Sequence, residues 1–143
     1  MAYEIKQSPL DTEPDIAIGI GLPMSTSAGS GFKLTYTTIE QAVANSKNLL
    51  FTNHGERPMH PTFGCNLAGV LFENNSELFA DTVEETIRSS FDFWLPYIFI
   101  SKLEVTPDAV DANRLAIKLS IALVGNKFDT RSIQFALDGE VTN

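Results

Sequence analysis

The feature that most constrains this chain is the run from Leu115 to Leu123. Leu115, Ile117, Leu119, Ile121 and Leu123 are apolar, and Ala116, Lys118, Ser120 and Ala122 stand between them. Successive side chains of a strand point to opposite faces, so a two-residue period predicts a strand with one face on a core. Tyr97 to Val105 and Ser132 to Leu137 flank it, and the turns between them fall at Pro107-Asp108 and Gly125-Asn126, residues that supply a fixed φ or tolerate a positive one. Short connections between neighbouring strands favour an antiparallel meander of three strands. If Ile133, Gln134, Phe135, Ala136 and Leu137 form its last strand, they leave an unpaired edge, guarded only by Asp138 and Glu140. An exposed edge either aggregates or receives another strand.

A meander needs a cover for its apolar face, and the preceding residues supply helices. Ile39, Ala42, Val43, Ser46 and Leu50 recur at helical spacing, and Thr38 followed by Gln41 forms a capping box at the start. Leu67, Val70 and Leu71 predict one or two further turns. Asn75 or Ser76 then caps a longer helix whose face carries Phe79, Val83, Ile87, Phe91 and Trp94, and Pro96 ends it. The expected class is α+β, with an N-terminal extended arm and two main helices packed on a C-terminal three-stranded antiparallel meander. Residues 1–31 read as the arm and a Gly/Ser-rich flexible turn, and residues 32–143 as a single domain, since 143 residues with 43% apolar content suit one core.

Charge and cysteine content narrow the partners. A formal net charge of −8 repels nucleic-acid backbones and anionic membranes at long range, so neither is an expected partner. The single cysteine, Cys65, forms no internal disulfide, which suits a reducing cytoplasm. The first fifteen residues lack a basic start followed by an apolar stretch, and no run approaches the roughly 18 apolar residues of a membrane helix, so secretion and membrane insertion are not expected.

The residues from Thr52 to Pro61 form a loop stiffened by Pro58 and Pro61 that presents Glu56 and Arg57. A rigid loop carrying a charged pair suggests a structural or interface ion pair. A glycosidase would need Glu56 as proton donor and a second carboxylate about 5 to 9.5 Å away. Glu73, Glu77, Asp81, Glu84 and Glu85 read instead as solvated helix or cap positions. His54, His60 and Cys65 are zinc-ligand types, but their spacing matches neither a CxxC pair nor an HExxH helix, so no metal is expected. A Cys65 nucleophile is disfavoured because Phe63-Gly-Cys-Asn-Leu67 reads as the start of a packed helix. Gly19-x-Gly21 runs into Leu22-Pro23 and not into a helix, so no phosphate loop and no cofactor are expected. The aromatic face with Phe79, Phe91 and Trp94, and Phe93 alongside, reads as core.

Taken together, Asp15-Ile-Ala-Ile-Gly-Ile-Gly-Leu-Pro23, the helix to Leu50-Phe-Thr52, Gly55-Glu-Arg-Pro-Met59, Pro61, Phe63-Gly-Cys-Asn-Leu67 and Leu71-Phe-Glu73 resemble the contractile-tail baseplate wedge family. Its members include the sheath initiators of phage tails and the baseplate component of type VI secretion. The resemblance covers residues 15 to 73 by motif and the rest by pattern. It implies a structural subunit without enzymatic activity, present in multiple copies in a ring in the virion tail baseplate and assembled in the host cytoplasm. The implied partners are tail sheath protein, other baseplate wedge proteins, and tail tube or hub proteins. Gly55, Glu56, Arg57, Pro61 and Gly64 correspond to the family's motif positions, and the terminal sheet edge would template the first sheath ring. His60 stands where an arginine is common in the family, and Asn53-His54 replace a proline-containing turn. The family also carries a legacy lysozyme label, which leaves a peptidoglycan hydrolase using Glu56 as the alternative.

Overall fold

The structure, a computed structural model, describes residues 15–27, 31–71, 79–107 and 114–138. Its centre is the expected meander: β5 (Ile98–Pro107), β6 (Arg114–Leu123) and β7 (Asn126–Asp138) lie in the order β5-β6-β7, both pairs antiparallel. Ile117, Leu119 and Ile121 of β6 are buried, while Lys118 on the opposite face is exposed. Two irregularities modify the register. Ser101 is skipped between the pairs Ile100↔Ile121 and Lys102↔Ser120, and the β6–β7 pairing slips between Ile121↔Arg131 and Leu123↔Asn126. The second slip lets β7 begin at Asn126, six residues before the alternation of its sequence starts, and it coincides with burial of Ala122 beside Ile121.

Helix α1 (Thr38–Leu50) packs on β6 and β7, and α3 (Phe79–Trp94) packs chiefly on β5. A short helix, α2 (Leu67–Leu71), leans on α3. Ala42, Leu49 and Leu50 from α1, Val83, Ile87 and Phe91 from α3, and Ile117, Leu119, Ile121 and Ile133 from the sheet form one core with Cys65 and Leu67. The capping box sits one residue earlier than the sequence predicts. Thr37 is the N-cap, its Oγ1 accepts from the Glu40 N–H at 3.4 Å, and Glu40 reaches back to accept from the Tyr36 N–H at 3.2 Å. Gln41 is thereby free for other partners: it accepts from Thr35 Oγ1 at 2.7 Å and donates to Asn45, which donates to the Tyr97 hydroxyl. α3 ends at Trp94, two residues before Pro96. Its Asn75 or Ser76 cap lies outside the described residues, as do the Asp108 turn and the acidic residues Glu73, Glu77 and Glu140.

Before α1 the chain forms a narrow ribbon from β1 (Gly19–Ile20), β2 (Thr26–Ser27), β3 (Gly31–Phe32) and β4 (Leu34–Thr35). β1 pairs with β4 and β2 with β3, all antiparallel. Lys47 Nζ donates to the Leu22 carbonyl at 3.1 Å and, with the Thr35–Gln41 bond, ties the ribbon to α1.

Candidate functional site

The loop between α1 and α2 closes on itself. The Gly55 N–H donates to the Pro61 carbonyl at 2.7 Å, His60 N–H to Arg57 at 3.1 Å, and Phe63 N–H to His60 at 3.0 Å. The Cys65 N–H donates to the Leu49 carbonyl at 3.2 Å and fastens the loop to the end of α1. Two glycines make the path possible. Gly55 has φ +89° and open space around it, whereas Gly64 has φ +119° and an added Cβ there would overlap the Thr52 carbonyl.

Glu56 and Arg57 do not pair with each other; among the described residues each has its own partner. Glu56 Oε2 accepts from the Asn53 N–H at 2.9 Å and Oε1 accepts from Asn53 Nδ2 at 3.1 Å, so the carboxylate shapes the turn that carries it. The Arg57 guanidinium lies over the Phe63 ring, 4.4 Å from its centroid. Adjacent side chains in a turn diverge, and each finds the partner its own direction allows.

Phe63 leads into a cluster that the sequence places in the core. Trp94 packs edge-on against Phe63 at 5.1 Å, Phe93 at 5.0 Å and His60 at 6.3 Å. Phe91 is core, but Trp94 is only half-buried, and Phe93 and Met59 are 74% and 87% exposed. Phe93 lies two residues from Phe91, about 200° around a helix, so its position already signalled a second, outward face. Aromatic, Met and Arg side chains are enriched in protein interfaces, and Arg57, Met59 and Phe93 are all exposed here.

The metal and nucleophile candidates separate. His54 Nε2 meets the Gly64 carbonyl at 3.2 Å, and His60 lies against Trp94. Cys65 is fully buried, and burial pushes its thiol up to about 11 against a slight opposing pull from Ser90. No cluster able to hold a metal occurs among the described residues. Asp81, Glu84 and Glu85 lie on α3, where Glu84 pairs with Arg88 at 2.7 Å.

At the other end of the sheet, β7 pairs with β6 alone among the described residues. Ile133 is buried, Gln134 exposed, and Phe135 half-buried with its ring 5.2 Å from Phe51 at the end of α1. Ala136 and Leu137 pair with Ala116 and Leu115.

The described residues thus form a small α+β domain with a closed charged loop, an exposed aromatic cluster and a three-stranded sheet ending in β7. Comparison with known proteins identifies its family. A sequence model described as baseplate wedge protein gp25 matches residues 37–127, and this chain belongs to that family. It is 35% identical over 89 residues to baseplate wedge protein gp25 of Enterobacteria phage T4, spanning 62% of this chain and 67% of that one. Its fold resembles a chain in the cryo-EM structure of the anti-feeding prophage baseplate, with TM-score 0.63 and 24% identity over 77% of this chain and 86% of that one. It also resembles a provisionally named tail lysozyme from Geobacter sulfurreducens, with TM-score 0.63 and 20% identity over 76% of this chain and 98% of that one.

Proposed function

We propose that this chain is a structural wedge subunit of a contractile-tail baseplate, present in several copies around the tail tube. In this reading residues 1–31 and the 53–65 loop, with its Gly55, Glu56, Arg57, Pro61 and Gly64, anchor it to other wedge proteins. The edge of β7 at residues 133–137 offers a template to the first ring of sheath. Its place is the virion tail baseplate, assembled in the host cytoplasm, and its work is burial and strand pairing with no bond made or broken. The observation that supports the proposal is the sheet order, which among the described residues leaves the 13-residue β7 at the edge. The Geobacter chain's name raises a muralytic alternative through Glu56. Both Glu56 oxygens already serving Asn53 speak against it.

Proline substitutions at Gln134 and Phe135 test the edge. Along β7 one of these two neighbouring amides faces β6 and the other faces outward, and proline is tolerated only at the outward one. Particles carrying whichever variant remains folded are expected to show baseplates with naked tubes by electron microscopy. Complete sheaths on such particles would refute the template role.

A further inference from the structure

Two surfaces of opposite charge lie on different parts of the domain. The first is a groove of about 850 Å³ between the ribbon, α1 and the start of β7. Lys33, Lys47 and Arg131 line it against Glu40, three cations less one carboxylate, for a local +2 on a chain of net −8. Glu40 is engaged by the Tyr36 N–H, Lys47 gives one of its hydrogens to the Leu22 carbonyl, and Asp129 flanks Arg131 at 3.4 Å. The exposed side chains of Phe32, Leu34 and Tyr36 add apolar surface along the same groove.

The second surface is the outer side of α3. Asp81, Glu85, Arg88 and Asp92 follow one another at helical spacing, which sets them in one stripe about 17 Å long at 1.5 Å per residue. Val83, Ile87 and Phe91 are buried on the opposite side of the helix. Glu84 lies beside the stripe and takes up Arg88. Four carboxylates less one guanidinium leave −3, and Asp81, Glu85 and Asp92 are exposed.

We infer that the α3 stripe of one copy of this chain docks against the ribbon–α1 groove of the next copy. Charge complementarity carries the contact, since the chain holds both the basic recess and the acidic ridge that fits it. The lengths agree as well: residues 32–36 wall the groove over about 13 Å at 3.3 Å per residue. Like charges elsewhere on two acidic copies lie beyond the Debye length of about 8 Å and are largely screened at physiological salt, whereas the docked patches are closer than that. The two surfaces differ, so the contact is head-to-tail, the kind that closes into a ring when its rotation allows. It does not use the 133–137 edge of β7. Lys47 also borders residues 133–135, so sheath on that edge stays within cross-linking reach. Failure of the contact would leave the baseplate assignment intact, because other subunits can hold the copies in place.

Charge reversal with rescue tests this on the purified full chain, by sedimentation velocity across a concentration series. Lys33→Glu with Arg131→Glu inverts the groove, and Glu85→Lys with Asp92→Lys inverts the stripe; all four side chains are exposed, so the fold is retained. Each double variant alone is expected to self-associate about tenfold more weakly than the parent, the loss of two surface pairs at the upper end of their range. An equimolar mixture is expected to recover the parent's association, because each variant's stripe then meets a complementary groove on the other. The variants' net charges, −8 less four and −8 plus four, are both negative and give the mixture no general attraction. A carbodiimide, which joins carboxylates to amines in direct contact, should link Lys33 or Lys47 to Asp81, Glu85 or Asp92 between isotopically light and heavy copies. A parent that stays monomeric, double variants that associate as the parent does, a mixture without recovery, or links confined to single copies would each overturn the inference.

Discussion

Gly64 and Gly55 occupy the same loop with positive φ, and replacing each with alanine separates two physical effects. At Gly55 nothing lies within 4 Å of the added Cβ, so the cost is the strain of a left-handed backbone, about 1–2 kcal/mol. At Gly64 the added methyl overlaps the Thr52 carbonyl oxygen and sits 2.8 Å from its carbon. Both are backbone atoms, so relief requires moving the end of α1 or breaking the Cys65–Leu49 hydrogen bond that anchors the loop. Overpacking of this kind adds about 1–3 kcal/mol to the strain, for a total of about 2–5 kcal/mol. The gain from a stiffer unfolded chain is common to both variants and cancels in the comparison. With a urea m-value of about 2 kcal/mol/M, that difference of about 1–3 kcal/mol should make Gly64→Ala unfold at a midpoint about 0.5–1.5 M below that of Gly55→Ala. Coincident midpoints would refute the reasoning that the loop is closed against Thr52.

Three further outcomes follow from the geometry. The folded Cys65 thiol at about 11 lies above its ordinary 9.0, so between these pH values the folded state keeps a proton that the unfolded state has lost. Stability from this site is complete below pH 9 and should fall by roughly 2 kcal/mol by pH 11, a slope that Cys65→Ala should remove in pH-dependent denaturation. Phe93→Ser removes an exposed ring and should change stability by less than about 0.5 kcal/mol while reducing co-purification with other wedge proteins; retained co-purification would exclude Phe93 from the interface. The purified chain should release no fragments from cell-wall peptidoglycan, with no difference between parent and Glu56→Gln; lysis by the parent alone would restore the hydrolase reading.

The sheet was legible because β6 buries one face, and a two-residue period survives wherever that holds. The start of β7 was not, since Asn126 to Arg131 carry no alternation and their pairing depends on a register slip. The cap was legible in kind but not in position: Thr37-Thr38-Ile39-Glu40-Gln41 holds two overlapping capping boxes, and recruitment of Gln41 by Thr35 and Asn45 decides between them. At the loop, the motif glycines could be read, and the partners could not. Arg57 turns to Phe63, six residues on, and Glu56 turns back to Asn53, contacts that depend on the closed path of the backbone. Phe93 is apolar like its core neighbours, and only its angle on the helix, about 200° from Phe91, sets it on the outer face.

Cross-linking with mass spectrometry on intact purified tail particles tests most directly whether this chain is a baseplate subunit that receives the sheath. Lys33 and Lys47 line one groove with Thr130, Arg131 and Ser132 of β7, and links from both to sheath protein are expected. A chain absent from the particles, or one whose Lys33 and Lys47 link only to proteins other than sheath, would contradict the assignment.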